Sequence, residues 1–400
     1  FSANVLGGLN AATPPLLVAV LLTYFFALKF FFAPLVDKIP APYFGKKFGH
    51  RRGVAMLVQI LLIISLVLMS VFRQVPGLVS LSAAALVVIF SGLQILSFEA
   101  LRVEMLPNNK QGHGVAMSII GYFLLTLFVG LVGPAISNVG IDFILVFCVL
   151  QLLGILALVL AKSPDGKKEP FAWGSLITPF TDFFARHGQW KWVSIIFFIL
   201  LYKYGSTFTA LLAPNFYNGL GFTGDDQVKA AVASIQTVGS LMGLIGLLVG
   251  AIVLYWRGLY TTLLGGIILT MVVPIFFATM LRFGANLWFL RLTVSVASLA
   301  VSITTIALLA YIASLINRKH TVTQWAWLTS LAAMTSLSSM TVVPTITILP
   351  LFIQSLVVLP TSWTLQALKI SSPDIIALFM VAMSLPGLLI LLSLKKSISK

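Results

Sequence analysis

Eleven stretches of roughly twenty mostly apolar residues follow one another along this 400-residue chain. They run over about 13–36, 54–72, 77–106, 113–134, 141–162, 190–213, 226–255, 259–281, 285–316, 321–346 and 372–394. A helix rises about 1.5 Å per residue, so some 20 apolar residues cross the ~30 Å hydrocarbon layer of a bilayer. Inside that layer every backbone N–H and C=O needs an internal partner, and runs of this length meet the demand as helices. The composition agrees: 59% of the residues are hydrophobic and 9% are charged, against about 25% charged in an ordinary soluble domain. A soluble globule must cover its surface with polar groups, so this surface faces lipid. The sequence predicts an all-α membrane protein. A further apolar stretch, 346–359, is interrupted by Pro350 and Pro360 and reads as an extension or re-entrant segment rather than a span.

Orientation follows from the cations. One set of alternate connections carries Lys38, Lys46, Lys47, Arg51, Arg52, Arg102, Lys110, Lys162, Lys167, Lys168, Arg186, Lys191, Arg257, Arg318, Lys319, Lys395, Lys396 and Lys400. The opposite set has Arg73, Lys229, Arg282, Arg291 and Lys369. The richer set is cytoplasmic, because translocating Lys and Arg is disfavoured. The same bias accounts for the net charge of +15 without a nucleic-acid partner. With a cytoplasmic C-terminus, eleven spans leave Phe1 outside, and the expectation is one more helix ahead of it. No charged region followed by a small-residue cleavage site reads as a signal peptide. The lone Cys148 sits in the apolar run 143–160 and is expected to pack as a small hydrophobe.

The longest polar stretch, 163–189, holds the turn signal Pro164-Asp165-Gly166-Lys167-Lys168. It divides the chain into an N-terminal bundle (1–162), a linker (163–189) and a C-terminal bundle (190–400). Within the linker, Phe180, Phe183 and Phe184 alternate with Thr181, Asp182 and Arg186, the spacing of a short amphipathic helix on the cytoplasmic surface. His50-Arg51-Arg52-Gly53 and Tyr255-Trp256-Arg257-Gly258 each open a span, 205 residues apart. Two parallel six-helix repeats about an axis along the membrane normal form the architecture of the major facilitator superfamily.

Three ionisable residues lie deep in the apolar runs. Glu99 is eight residues from Pro107, roughly 12 Å inside the cytoplasmic end. Lys29 is at matching depth before Asp37, and Lys203 is near the middle of its span. A charge at the bilayer centre costs ~2.5–3.5 kcal/mol, so each needs a partner or water. Each also has a plainer reading. Lys29 can snorkel to the interface, Glu99 can pair with Arg102 one turn along, and Lys203 can cap carbonyls or reach a Tyr hydroxyl. Lys203, with no acid near it in sequence, is expected to line a polar cavity. Gln94, Ser91 and Ser97 give the Glu99 helix a polar face. The serines read as helix glue, while Gln94 reads equally as glue or as a substrate contact. Gly239-Ser240-Leu241-Met242-Gly243 reads as close helix packing. Candidate substrate or coupling residues are therefore Lys29, Gln94, Glu99, Arg102 and Lys203, and the candidate gating loop carries Asp37, Arg51 and Arg52.

Other chemistries lack their parts. The four histidines, at 50, 113, 187 and 320, have no second ligand at metal spacing. No Gly-Lys-Ser or Gly-Lys-Thr phosphate loop is present, and no nucleophile has a histidine near it at membrane depth. A secondary carrier remains, with neither enzyme activity nor a cofactor.

Several stretches resemble the AmpG-like muropeptide permeases of the major facilitator superfamily. They are Leu28 through Pro40, Phe44-Gly45-Lys46, Arg51-Arg52-Gly53, Glu99 through Pro107, and Gly114 through Gly121-Tyr122. Further along come Pro179 through Phe184, Leu201-Tyr202-Lys203-Tyr204-Gly205, Gly219 through Thr223, and Ala310-Tyr311 through Asn317-Arg318-Lys319 to Thr323-Gln324. The resemblance covers residues 28–330 and fades after about 335. It implies proton-coupled import of anhydro-muropeptides, the sugar-peptide debris of the bacterial wall, by a monomer in the bacterial inner membrane. This chain departs from the family pattern at Ile95, Ser206, Ala297 and Ser298, where the resemblance leads one to expect Asp, Glu or Asn; Glu99 stands in place of an Asp. Those departures keep two alternatives open: a carrier for another anionic metabolite, and a non-transporting scaffold or receptor descended from a carrier.

Overall fold

The computed structural model describes residues 42–72, 78–106, 143–161, 178–188, 190–218, 225–284, 286–317, 321–337 and 373–398, with isolated positions such as Lys29, Ala33 and Leu220. Every element among the described residues is an α-helix. They are α1 (Pro42–Phe48), α2 (His50–Val71), α3 (Leu78–Met105), α4 (Phe143–Leu160), α5 (Thr178–His187), α6 (Lys191–Tyr202), α7 (Tyr204–Asn218), α8 (Asp225–Arg257), α9 (Leu259–Phe283), α10 (Leu287–Leu315), α11 (Thr321–Leu337), α12 (Pro373–Ala382) and α13 (Leu385–Ile398). Among the described residues seven spans are long and apolar enough to cross a membrane, with α4 a shorter apolar helix. Asp37, the expected span 113–134 as a continuous element, and the stretch 346–359 lie outside the described residues.

The chain folds into two compact units. The first gathers α1–α4, α5 through Arg186 and the stretch Ile316–Ser330, which holds the start of α11. The second contains His187–Leu315 and Leu331–Lys400, hence α6–α10, α12 and α13.

In the first unit α2 packs on α1, α3 and α4. Its inner side is apolar and small: Val54, Val58, Leu93, Leu96 and Ala100 cluster with Ala33 and with Ala326 of α11. Cys148 is buried against Leu62 and Leu66, the packing role expected for it. Gly49 precedes α2 at φ 86°, a left-handed conformation that costs glycine nothing. Gly53 has a different job. A Cβ there would lie 2.5 Å from the Gly45 nitrogen of α1, so only a hydrogen side chain lets α1 fold back onto α2. Gly258, by contrast, precedes α9 at φ 80°. The two Arg-Gly pairs that looked like repeats therefore serve unlike purposes.

In the second unit α8 lies along α10, and α10 along α9. The α8–α10 seam closes on glycines. A Cβ on Gly246 would sit 2.9 Å from Leu299 Cα, and one on Gly250 would sit 2.7 Å from Ile306 Cγ2. At Gly239 the nearest atoms would be 3.4 Å away, ordinary contact. The small-residue packing expected at 239–243 is thus found one to two turns further on. Without a hydrophobic drive between helices in lipid, such close approach supplies the dispersion contacts that hold them.

Two spans of this unit are interrupted, α6/α7 at Lys203 and α12/α13 at Met383–Ser384. The interruptions are shallow, because Thr207 N–H still donates to Lys203 O (2.9 Å) and Leu388 N–H to Ser384 O (3.2 Å). They cross where both chains are thinnest. A Cβ on Gly205 would collide with Ser384 Oγ, and one on Gly387 would come within 2.9 Å of Leu201 O.

Candidate functional site

The first unit carries the charges predicted from sequence, and most of them are paired. Glu99 accepts hydrogen bonds from Arg102 Nε (2.8 Å) and Nη2, the same-helix ion pair foreseen as its plain reading. Arg102 also lies over the Trp325 ring, 4.7 Å from its centroid, a cation–π contact that anchors the guanidinium on α11. Lys29 is within electrostatic reach of Glu99. Arg51 Nε donates to Glu104 at 2.9 Å, tying α2 to α3. Arg52 donates to Phe48 O (2.8 Å), Leu158 O (3.2 Å) and Ala161 O. It thereby satisfies the carbonyls left open at the ends of α1 and α4. Arg51 and Arg52 are fasteners of this unit, while Asp37 falls outside the described residues.

Gln94 finds a partner that the sequence did not suggest. Its Nε2 donates to Gln151 Oε1 (2.6 Å), and Gln59 Nε2 donates to the same oxygen (2.9 Å) and to Gln151 O (2.9 Å). Three amides from α2, α3 and α4 thus form one polar knot. Gln59 is 2% exposed and its Oε1 has no partner among the described residues. Gln59 and Gln151 were missed because a glutamine in an apolar run gives no sign of its neighbour on another helix. Ser91 and Ser97 donate to Val88 O and Leu93 O of their own helix, so the expected role as interhelical glue is replaced by back-bonding.

The linker helix forms as expected, but its aromatic side is not left for the lipid surface. Phe180, Phe183 and Phe184 surround Trp327 of α11 with ring centroids 5.1, 5.3 and 5.9 Å away, and Phe183 is fully buried. Beside this box, Asp182 accepts from Asn317 Nδ2 (3.1 Å), Gln324 Nε2 (3.1 Å) and Arg186 Nε (3.0 Å). Gln324 is 1% exposed, yet all four of its bonding directions are used. Nε2 also donates to Pro179 O (2.8 Å), and Oε1 accepts from Asn317 N–H (2.8 Å) and Arg186 Nη2 (3.1 Å). Burial opposes the Asp182 charge, but Asn317, Gln324 and Arg186 overcome it and hold its carboxyl below the usual carboxylate range.

The second unit is electrically simpler. From residue 190 onward the only carboxylates in the chain are Asp225, Asp226 and Asp374, at the starts of α8 and α12. Lys203, at the α6/α7 interruption, is half-buried and donates to Thr305 Oγ1 at 2.9 Å. Thr305 in turn donates to Val301 O (2.6 Å). A neutral hydroxyl solvates an ammonium without neutralising it, and among the described residues no carboxylate pairs with Lys203. Tyr202 next to it donates to Leu263 O (2.9 Å), so the tyrosine fixes α6 on α9 instead of serving the lysine. One turn on, Ser206 and Thr209 open onto a cavity of about 290 Å³ shared with α8, α9 and α10. Among the described residues no group of three or more His, Cys, Asp or Glu could hold a metal ion.

Residues 7–340 match the family model for the Major Facilitator Superfamily. The chain is 28% identical over 324 residues to the anhydromuropeptide permease of Escherichia coli K12, covering 77% of this chain and 62% of that protein. It is 27% identical over 330 residues to a protein named AmpG 4 in Rickettsia conorii, covering 76% and 75%. The chain therefore spans less than two thirds of the Escherichia coli relative. A solved transporter of the superfamily, FucP in its outward conformation, has the same fold, with a TM-score of 0.58 at 12% identity over 91% of this chain and 89% of that one. These relatives are membrane transporters, not enzymes. With its apolar spans, its helical bundles and a match across most of its length, this chain is a multi-pass inner-membrane protein that belongs to the major facilitator superfamily.

Proposed function

We propose that this carrier imports anhydro-muropeptides, or a related anionic amino-sugar peptide, into the bacterial cytoplasm in exchange for dissipation of a proton gradient. In this reading the bundles 1–162 and 190–400 move as the two arms of alternating access, about a site near the midplane. The observation that carries the reading is Lys203: an ammonium at a helix interruption, solvated by Thr305 and paired with no carboxylate among the described residues. A solute carboxylate supplies the missing countercharge. Glu99 is the membrane carboxylate that can carry the proton, exchanging it for Arg102, and Lys29 senses that exchange. The likeness to the Escherichia coli permease over 324 residues supports the choice of solute.

Uptake of labelled anhydro-muropeptide by Lys203→Ala and Lys203→Arg proteins tests this. The alanine variant is expected to reach normal abundance and to raise the apparent KM at least tenfold, the loss of one charge-assisted contact. Arginine should rescue only in part, because its planar fork is larger and differently hydrated. Wild-type affinity in a well-expressed Lys203→Ala protein overturns the reading.

A further inference from the structure

We propose that the cavity inside the second unit is a binding subsite for an uncharged, hydroxyl-bearing ring, set beside the charge of Lys203. The cavity measures about 290 Å³, room for some ten water-sized groups at ~30 Å³ each. Every residue lining it is uncharged.

Three of the six hydroxyls that line it are already committed in one direction. Ser206 Oγ donates to Lys203 O (2.8 Å), Thr209 Oγ1 to Gly205 O (2.8 Å) and Thr270 Oγ1 to Gly266 O (3.0 Å). A hydroxyl has one hydrogen and two lone pairs. With the hydrogen spent on its own helix, each of these groups offers the cavity an acceptor. The fitting ligand therefore brings donors, such as sugar hydroxyls or an amide N–H. The lining holds no cation to neutralise a carboxylate, so a neutral group fits it better than a charged one. Ser206, Thr209 and Thr270 are buried, at 7%, 5% and 2% exposure, so an unmade bond there is costly. At one end the Tyr217 and Phe277 rings, 5.8 Å apart, present apolar surface for the carbon face of such a ring.

The void is not the ordinary spacing of this helix pair. One to two turns along, at Gly246 and Gly250, α8 and α10 touch so closely that a Cβ would clash. At Gly239 a Cβ would meet only ordinary contacts at 3.4 Å, and Gly239 and Gly243 line the space. An entrance lies at Ala210 and Val301, the lining residues that are exposed. Ser206 links the two features, since it lines the cavity while donating to the Lys203 carbonyl. The solute would then be read in two parts, its anion by Lys203 and its neutral ring by the cavity; that division of labour rests on the carrier reading above, whereas ring binding itself does not.

Equilibrium binding of radiolabelled N-acetylglucosamine to the full chain in nanodiscs tests the subsite, with glucuronate as the charged competitor. Uptake of labelled anhydro-muropeptide is measured on the same preparation in proteoliposomes. The neutral sugar should bind, and in the Lys203→Ala protein, where no ammonium is left to hold a carboxylate, glucuronate should compete at least tenfold less well. Thr209→Val, which keeps the shape but removes the acceptor, should weaken binding about three- to tenfold, one hydrogen bond's worth. Gly239→Leu, which fills the space toward Ser298, should weaken it more than tenfold while the protein stays monodisperse. Sugar binding that is absent, or indifferent to Thr209→Val in a folded protein, overturns the subsite. Muropeptide uptake without sugar binding ends this inference and leaves the carrier reading standing. Sugar binding without muropeptide uptake does the reverse, and failure of both ends both.

Discussion

The two units solve the same problem, polar groups in a membrane, in opposite ways. The first is rich in charge and spends it internally: Glu99 on Arg102, Arg102 on Trp325, Arg51 on Glu104, and Arg52 on the carbonyls of α1 and α4. The second is poorer in charge: Lys203 donates to a threonine hydroxyl, and a neutral cavity is lined from Ser206 onward, one turn away. Paired charges fix helices relative to one another, because breaking a buried pair strands a charge. A cation with only a hydroxyl partner and a retained void cost stability, and on the reading proposed above they are kept for a ligand. The difference teaches where to test the proposal: closure and coupling in the first unit, recognition in the second.

The largest effects should come from the places where either unit is closed by shape alone. Gly246→Leu puts a side chain into Leu299 Cα, a backbone atom that cannot yield, and should cost more than about 3 kcal/mol, enough to remove monodisperse protein. Gly239→Ala, on the same helix, meets only 3.4 Å contacts and should leave abundance unchanged. Equal loss from both substitutions, scored by fluorescence-detected size exclusion, would dissolve the distinction between seam and cavity.

Next in size is the junction of linker helix and α11. Gln324→Leu removes one partner each from Asp182, Arg186, Pro179 O and the Asn317 N–H and should lower stability by about 2–4 kcal/mol, read as a fall in Tm. The Asp182 carboxyl also gives this junction a pH dependence. Its folded pKa is depressed, so its contribution is fully present above the ordinary carboxylate value and is lost as pH falls through the folded one. The Tm difference between the natural protein and Asp182→Asn should therefore be flat near neutrality and shrink below about pH 4. A difference that grows on acidification contradicts the assignment.

Smaller still are the amides of the first unit. Gln151→Leu removes the acceptor shared by Gln59 and Gln94 and should cost about 1–2 kcal/mol, against about 0.6 kcal/mol for Gln94→Leu, the scale of single bonds in membranes. Thermal denaturation in detergent ranks the pair, and the reverse order would mean that Gln94 has a partner beyond this knot.

How much of this the sequence shows depends on how local the cause is. Spans were legible because length and apolarity are properties of a single stretch, and Glu99 with Arg102 because the pair is one turn apart. Lys203 announced itself by lacking any acid nearby. The linker helix was legible from the spacing of its phenylalanines, but not its partner: Trp327 is 143 residues beyond Phe184. For the same reason Gln59 and Gln151 stayed hidden. Glycines misled most. The motif at 239–243 and the one at 246–250 look alike in sequence, and only the separation of α8 from α10 tells which packs and which lines a void.

The most direct measurement of the central claim is uptake of labelled anhydro-muropeptide by purified chain in proteoliposomes, with an inward proton gradient and after its collapse by an ionophore. The account predicts concentrative uptake with the gradient, at most equilibration without it, and a sharp loss of affinity in Lys203→Ala. Uptake that is indifferent both to the gradient and to Lys203, or no uptake of this solute by well-folded protein, would contradict it.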